Sequence, residues 1–537
     1  MKNHIMALAC AVCLATGSVL AEENPPQRSD LAALLGEPVL RAGDESGADR
    51  LRSSLELYLT AAAFENGIVS IEPVDEGYRI TARLSELGEE IAGLEDISLR
   101  MDDYAILVSE QPDGRWFVAS SGPFAMSLSF RSPSGEPGGA QIVQRLDYEV
   151  GSHEWAGYWD PEVQSFTRAE GYLGTVRQVE TNPAGTTTTT SEPIRTRFTG
   201  EVGEDGGLNM EAVQSGGAFR QEGTVSLDPR DPESAISFVV QSGDLETVVN
   251  GEGMRTAEVM RLYGVGIELL TRPEPGDLLE ELKDALRAAL PVWTRFASDM
   301  KIGGITVDVG PFGSGRIGSA DVDMALDGIS TTGTYSIRYG LTDIAITSPF
   351  VPEWASALIP DRVVFEAEAT DVDLLEPATL LISDLRLNAE APVSRQTLTK
   401  VDDLFQASGA SFGIVDSSIA GRGYRIDYSA DFADGDVSVD VRAEGIDTLI
   451  AGLQEAGRDY PQALQGVSVL QMAKGFGRPV GDGALEWAAT FGRDQSITVN
   501  GAMLRAPESP QPPSLDPGAG QFEPGAPSEA DGPTDPL

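Results

Sequence analysis

Cysteine is confined to Cys10 and Cys13, and histidine to His4 and His153. Both cysteines fall inside a leader-like segment. A chain processed there holds no thiol, which excludes disulfides, cysteine-ligated zinc, iron–sulfur clusters and cysteine nucleophiles. His153 is then the only imidazole left to act as a base. Lysine is also scarce, with only Lys283, Lys301, Lys400 and Lys474 after Lys2. Acidic residues number 84 against 38 basic ones, a formal charge of -46. So negative a surface repels phosphate backbones, and nucleic acid is not expected as a partner. After the leader no apolar run is long enough for a membrane helix, so no integral membrane segment is expected.

The leader is read from a short basic head, Met1 to His4, an apolar run from Ile5 to Leu20, and Val19-Leu20-Ala21 ahead of Glu22-Glu23. Small residues before an acidic pair predict a signal peptide over residues 1–21, cleaved after Ala21, and hence a periplasmic location. At the other end, residues from Ala506 onward hold nine prolines with Gly, Ser, Asp and Glu. Such a composition buries too little apolar surface to order itself, and a disordered acidic tail is expected over 506–537.

Between these ends the chain alternates. Leu51, Leu55, Tyr58, Leu59 and Ala62 recur at helical spacing, and Gly67 stops that pattern. Residues 131–250 show short polar strands and turns. The stretch DLLEELKDALRAAL predicts an amphipathic helix within 276–298, which Pro291 ends. Period-two alternation then returns: Tyr335, Ile337 and Tyr339; Val363, Phe365 and Ala367; Val437, Val439 and Val441 against Asp436, Ser438 and Asp440. Two further helices are expected near 446–458 and 461–475, ahead of closing strands ALEWAATF and SITVNGAML. Alternation with one polar face predicts antiparallel strands. The fold class expected is mainly β: large curved antiparallel sheets with a few amphipathic helices packed on them. An N-terminal β-rich domain is drawn over 22–260 and a C-terminal one with helices over 261–505.

One string resembles a nucleotide site. Gly313-Ser-Gly315-Arg-Ile-Gly318 is a G-x-G-x-x-G sequence after the strand-like ITVDV. A dinucleotide turn needs a buried strand, apolar on both faces, leading into a long helix. Here Asp308 interrupts the strand, and Gly328 ends any helix early. SADVDMALDGI fits strand spacing as well as helical spacing. The string is therefore read as a hairpin loop, and no cofactor is expected.

His153 stands in SHEWAGYWD with no G-x-S-x-G elbow anywhere to serve it. Its neighbours Trp155, Tyr158 and Trp159 are candidates for a ligand-facing aromatic ledge, or for core. Asp321, Asp323, Asp327, Asp371, Asp373, Asp431, Asp434, Asp436 and Asp440 lack the spacing of a calcium loop and read as solvated strand faces. No catalytic, cofactor-binding or metal-ligating residue is assigned.

Two stretches carry a family resemblance. GDVSVDVRAEGIDTLIAGLQEAG with VSVLQMAKGFGRPVGDGALEWAATFGRDQSITVNGAML, and PFVPEWASALIPDRVVFEAEATDVDLL before them, resemble exported alphaproteobacterial proteins grouped as a domain of unknown function, DUF2125. The likeness covers residues 260–505. It implies an exported location and this architecture, and no activity. The function expected is that of a non-enzymatic envelope protein that binds a lipid or other hydrophobic ligand, or scaffolds another envelope protein. The alternative is a hydrolase that cuts envelope polymers with carboxylate chemistry.

Overall fold

A computed structural model describes residues 35–506 except 37, 86–96, 133–141, 227–233, 272–275, 353–354, 356–357, 388–390, 434 and 482. The expected leader, 1–21, and the expected tail from residue 507 lie outside the described residues.

Among the described residues the strands join into one sheet of 26, antiparallel throughout. It begins with the hairpin β1 (Val69–Val74) and β2 (Gly77–Ala82). β3 (Ile97–Met101) and β4 (Tyr104–Glu110) lie end to end along β5 (Trp116–Ser132), which pairs with β6 (Ile142–Asp160). The other side of β6 is shared by β7 (Ser165–Leu173) and β8 (Val176–Asn182). Next come β9 (Gly185–Ser191), β10 (Ile194–Val202), β11 (Leu208–Gly216), β12 (Phe219–Ser226), β13 (Ala235–Gln241) and β14 (Leu245–Met254). Two paths, β9–β12–β13 and β10–β11–β14, converge on β15 (Arg295–Asp308). The β14–β15 pairing crosses residue 260, so the sheet is continuous across the boundary drawn from the sequence.

Beyond β15 the sheet is a meander: β16 (Ser314–Asp327), β17 (Gly333–Thr342), the short β18 (Ala345–Thr347), β19 (Arg362–Val372), β20 (Ser411–Gly421), β21 (Tyr424–Ala433) and β22 (Asp436–Glu444). It closes with β23 (Arg478–Pro479), β24 (Leu485–Phe491), β25 (Ile497–Val499) and β26 (Ala502–Arg505). Register shifts at Val364/Glu366 and Ile414/Ser417 mark bulges, which bend and twist strands. The second bulge is held from within. Ser417 is 1% exposed, and its hydroxyl accepts from the Glu366 amide at 2.9 Å and reaches the Val415 carbonyl at 3.0 Å.

Among the described residues eight helices decorate the sheet: α1 (Glu45–Leu59), α2 (Ala61–Glu65), α3 (Thr256–Thr271), α4 (Leu278–Ala289), α5 (Leu375–Asp384), α6 (Arg395–Ala407), α7 (Ile446–Ala456) and α8 (Ala463–Phe476). The Asp44 carboxylate caps α1 by accepting from the Gly47 amide at 2.6 Å. Thr60, at φ 69°, breaks the expected single helix into α1 and α2. α4 buries Leu278, Ala285 and Ala289 on one stripe, as its amphipathic pattern requires. α3, α5 and α6 were not foreseen. α3 carries Gly264 and Gly266 in its interior, and α6 is polar apart from a few apolar positions. α6 has the expected N-cap chemistry, however, with Ser394 accepting from the Thr397 amide at 3.2 Å.

Buried apolar side chains gather at the two ends of this sheet. One set joins Phe64, Val69, Ile80, Val108 and Val118 beneath α1 and α2, with Leu84 and Leu35 centring smaller clusters nearby. The other joins Ala443, Ile446, Ile450, Val467 and Leu485 beneath α7 and α8. Among the described residues, those clusters draw only on residues 35–166 and 426–487. Between them, buried side chains such as Leu208, Val265, Leu278, Val364 and Ile382 lie outside those clusters.

Candidate ligand-binding face

Residues directly opposite in antiparallel strands share a face, so the register alone traces one side of the meander. Met300 of β15 faces Val322 of β16, which faces Tyr339 of β17, which faces Phe365 of β19. One row along, Ser298, Met324, Ile337, Ala367, Ile414, Ala430, Val439, Ala489 and Val499 continue from β15 to β25. A third row runs through Phe296, Leu326, Tyr335, Ala369, Phe412, Phe432, Val437 and Phe491. From β15 to β24 this face crosses about 34 Å at ordinary strand spacing. Hardly a polar side chain interrupts it.

Little of this face is fully buried. Ala430, Ala443 and Leu485 are buried, whereas Tyr339 is 45% exposed and Phe412 48%. The rest are half-buried or exposed. A contiguous apolar surface of this size left open to solvent is unusual in a monomeric soluble protein and marks a contact surface.

The reverse face is charged. It carries Asp299 and Lys301 on β15, Asp321 and Asp323 on β16, Arg338 on β17 and Glu366 on β19. The Arg338 guanidinium lies 2.8 Å from Asp321 and 2.6 Å from Asp323. Further along, Arg425 pairs with Asp427 at 2.7 Å and Arg478 with Glu486 at 3.1 Å around an open cleft of about 720 Å³. Arg425, Arg442 and Arg478 line it against Asp416, Asp427, Asp440 and Glu486, so its charge is close to balanced. Of the acidic residues considered for calcium, Asp321, Asp323, Asp327, Asp371, Asp431, Asp436 and Asp440 lie on strands. Asp373 accepts from the Leu375 and Glu376 amides at the start of α5, and Asp434 lies outside the described residues. No group of three or more His, Cys, Asp or Glu among the described residues is placed to hold a metal ion.

The chain matches no family model, curated protein or solved structure. Its function must therefore be argued from its own geometry.

The G-x-G-x-x-G string forms a hairpin. Asp308 pairs with Ser314 across the β15–β16 turn, Gly310 and Gly313 have φ of 55° and 125°, and Gly310–Phe312 makes a single 3-10 turn. The following residues form β16 and not a helix, which leaves no helix N-terminus for a pyrophosphate.

The aromatic candidates do not form one ledge. Trp155 and Trp159 pack into the N-terminal core, both edge-on to Phe166 at 5.8 and 5.3 Å between centroids. Tyr158 points to the other side, against Phe117 and under the Arg115 guanidinium. Strand alternation separates them, because β6 runs through all three positions.

His153 stacks on Tyr104 at 5.3 Å and lies 3.0 Å from the Ser120 hydroxyl. The Ser120 hydroxyl also donates to the Ala105 carbonyl at 2.8 Å, and the ring's tautomer decides which of Ser120 and His153 donates to the other. Burial pushes the His153 pKa down, with a backbone hydrogen bond at Gly122 opposing it. Ser120 is itself buried, so this pair fills the irregular register between β5 and β6. The sequence hid the open face because each strand reads as ordinary amphipathic pattern. Only the register shows that the apolar positions align, and only the fold shows that among the described residues α7 and α8 return over the Ala443–Leu485 end while most of the face stays half-buried or exposed.

A second concavity of about 640 Å³ lies between α1, α2 and α3, lined by Leu57, Tyr58, Met260, Val265 and Glu268 among others. Tyr58 and Tyr263 stack beside it at 6.3 Å. It is a cleft between helices, with Glu56, Glu258 and Glu281 among its lining residues.

Proposed function

We propose that this chain is a non-enzymatic exported protein of the periplasm that holds the acyl part of a lipid along the apolar face of β15–β24. The observation that carries this reading is the register-aligned apolar face, whose side chains away from the Ala443–Leu485 end beneath α7 and α8 remain mostly half-buried or exposed among the described residues. Each methylene removed from water on such a face contributes about 0.8 kcal/mol, so a long acyl chain gains much from lying along it. The leader read over residues 1–21 and the resemblance to an exported family support the location. Neither the buried Ser120–His153 pair nor the paired charges near Arg425 supports a catalytic reading.

The test is native mass spectrometry of the protein purified from its own periplasm. The expected result is an added lipid mass that disappears in a Tyr339→Glu, Phe412→Glu double variant with unchanged far-UV circular dichroism. A bare apo mass for the wild type, together with cleavage of an envelope polymer, would overturn the proposal in favour of a hydrolase. No helix among the described residues is long and apolar enough to cross a membrane.

A further inference from the structure

One end of the meander carries two exposed apolar features. The β15–β16 turn places Phe312 beside Phe350 of the loop after β18, ring centroids 6.0 Å apart and 20° from parallel. Phe350 is 72% exposed. Ser348 ties the two segments together by donating to the Phe312 carbonyl at 2.7 Å. Ile346, the partner of Gly315, is exposed beside them.

The second feature is α8. Its inward side chains Ala463 and Val467 are buried, whereas Val469, Met472 and Phe476 stand exposed within one narrow arc of the helix; Met472 is 62% exposed. The α7–α8 hairpin connects the last residue of β22 to the first of β24. Successive registers set that end of β22 beside the start of β21, the end of β20, the start of β19 and the end of β17. Both features therefore sit at the same end of the strands. The Leu358 carbonyl, which accepts from the Tyr424 hydroxyl at 2.8 Å, links the loop after β18 to this end.

The charge around them is distinct. No acidic residue occurs between Asp308 and Asp321, between Asp343 and Glu353, or between Asp459 and Asp482, although the chain has 84 in all. The charged residues inside those three stretches are Arg316, Lys474 and Arg478. The distant negative charge of the chain is screened beyond about 8 Å at physiological salt, so the local surface decides what approaches. Lys474 is paired with Asp447 and Arg478 with Glu486. Aromatic and aliphatic tips in acid-free stretches, with Arg316 four residues from Phe312, are what match the headgroup–acyl boundary of a bilayer.

We infer that this end of the sheet, through Phe312, Phe350 and the outer stripe of α8, docks the protein on a phospholipid bilayer surface. The inference does not depend on the lipid-holding reading, because docking needs only these side chains.

The experiment is flotation of the full-length processed chain with vesicles of phosphatidylethanolamine and phosphatidylglycerol at 3:1, in physiological salt. The wild type is expected to float with the vesicles. The pair Phe312→Ser and Phe350→Ser, and separately the pair Val469→Gln and Met472→Gln, should each cut the bound fraction at least fivefold. Leu57→Gln with Leu398→Gln, exposed apolar positions away from this end, should leave it unchanged. Tyr339→Glu should also float like the wild type, which separates docking from lipid holding. A wild type that stays in the unbound fraction overturns the inference. So does equal loss in the Leu57/Leu398 control.

Discussion

Asp299 and Asp323 face each other directly across β15 and β16, which sets two carboxyl groups side by side. Desolvation first, then the hydrogen bond that a protonated Asp299 donates to Asp323 and the Asp323 and Asp321 charges, hold the Asp299 pKa above its ordinary value of 3.8. A raised carboxyl pKa means that the folded state keeps the proton more firmly than the unfolded state. The cost of ionisation is absent below the unfolded pKa, grows as pH passes through the raised folded pKa, and is constant above it. Asp299→Asn retains a donor toward Asp323 without the charge. Melting at pH 7 should rise by about 1–2 °C, a small effect because the site is exposed. At pH 3 the two proteins should melt alike, and a gain that persists there would contradict this origin.

Arg338 is the cation that lets Asp321 and Asp323 coexist two positions apart on the same face. It reaches both within 2.8 Å and lies 4.0 Å from Glu366. Arg338→Gln leaves three carboxylates without it. The expected loss is about 1 kcal/mol by urea unfolding, larger than for a single exposed pair because several charges are involved. Arg338→Lys should recover part of it, since one ammonium cannot reproduce the planar fork. Raising salt to 1 M should narrow the gap between Arg338→Gln and wild type, as the Debye length falls to about 3 Å.

The sheet was legible in the sequence because alternation is local. Val437, Val439 and Val441 are half-buried, and Asp436, Ser438 and Asp440 exposed, as their spacing requires. SADVDMALDGI was ambiguous between helix and strand; pairing with β15 and β17 decides for strand, a tertiary choice that no local pattern records. SITVNGAML is two strands and not one, because Asn500 and Gly501 adopt φ of 48° and 79° in a tight turn. That Asn-Gly pair was a readable hairpin signal. α3 stayed hidden behind its paired glycines, which weaken a helix in isolation and are tolerated where it packs on α1 and α4. The open apolar face was not legible, since coverage depends on which elements return over a surface.

The aromatic run of β6 separates stability from binding. Trp159 packs on Phe166 within the N-terminal core, so Trp159→Ala leaves a cavity there. The expected cost is about 3–4 kcal/mol in chemical denaturation. Tyr158→Ala, on the reverse face between Phe117 and Arg115, should cost less, about 1–2 kcal/mol. Neither should change the lipid mass measured on protein that remains folded. Loss of that mass in Tyr158→Ala alone would return binding to the aromatic ledge.

His153 sets an acid limit on the same region. Its pKa is depressed by burial, so the folded state favours the neutral ring more than the unfolded chain does. The resulting stability is fully present above the unfolded value of 6.5 and is lost as pH falls through it toward the lower folded pKa. Protonation would also place a charge between Tyr104 and Ser120. The melting temperature of the wild type should therefore fall between pH 7.5 and pH 5. In His153→Gln, which keeps an amide to bond Ser120 and cannot titrate, the fall should be smaller by about 2 °C. Thermal melts of both proteins across that range measure it directly. Parallel curves would show that His153 does not change its protonation preference on folding, and that carboxylates alone set the acid response.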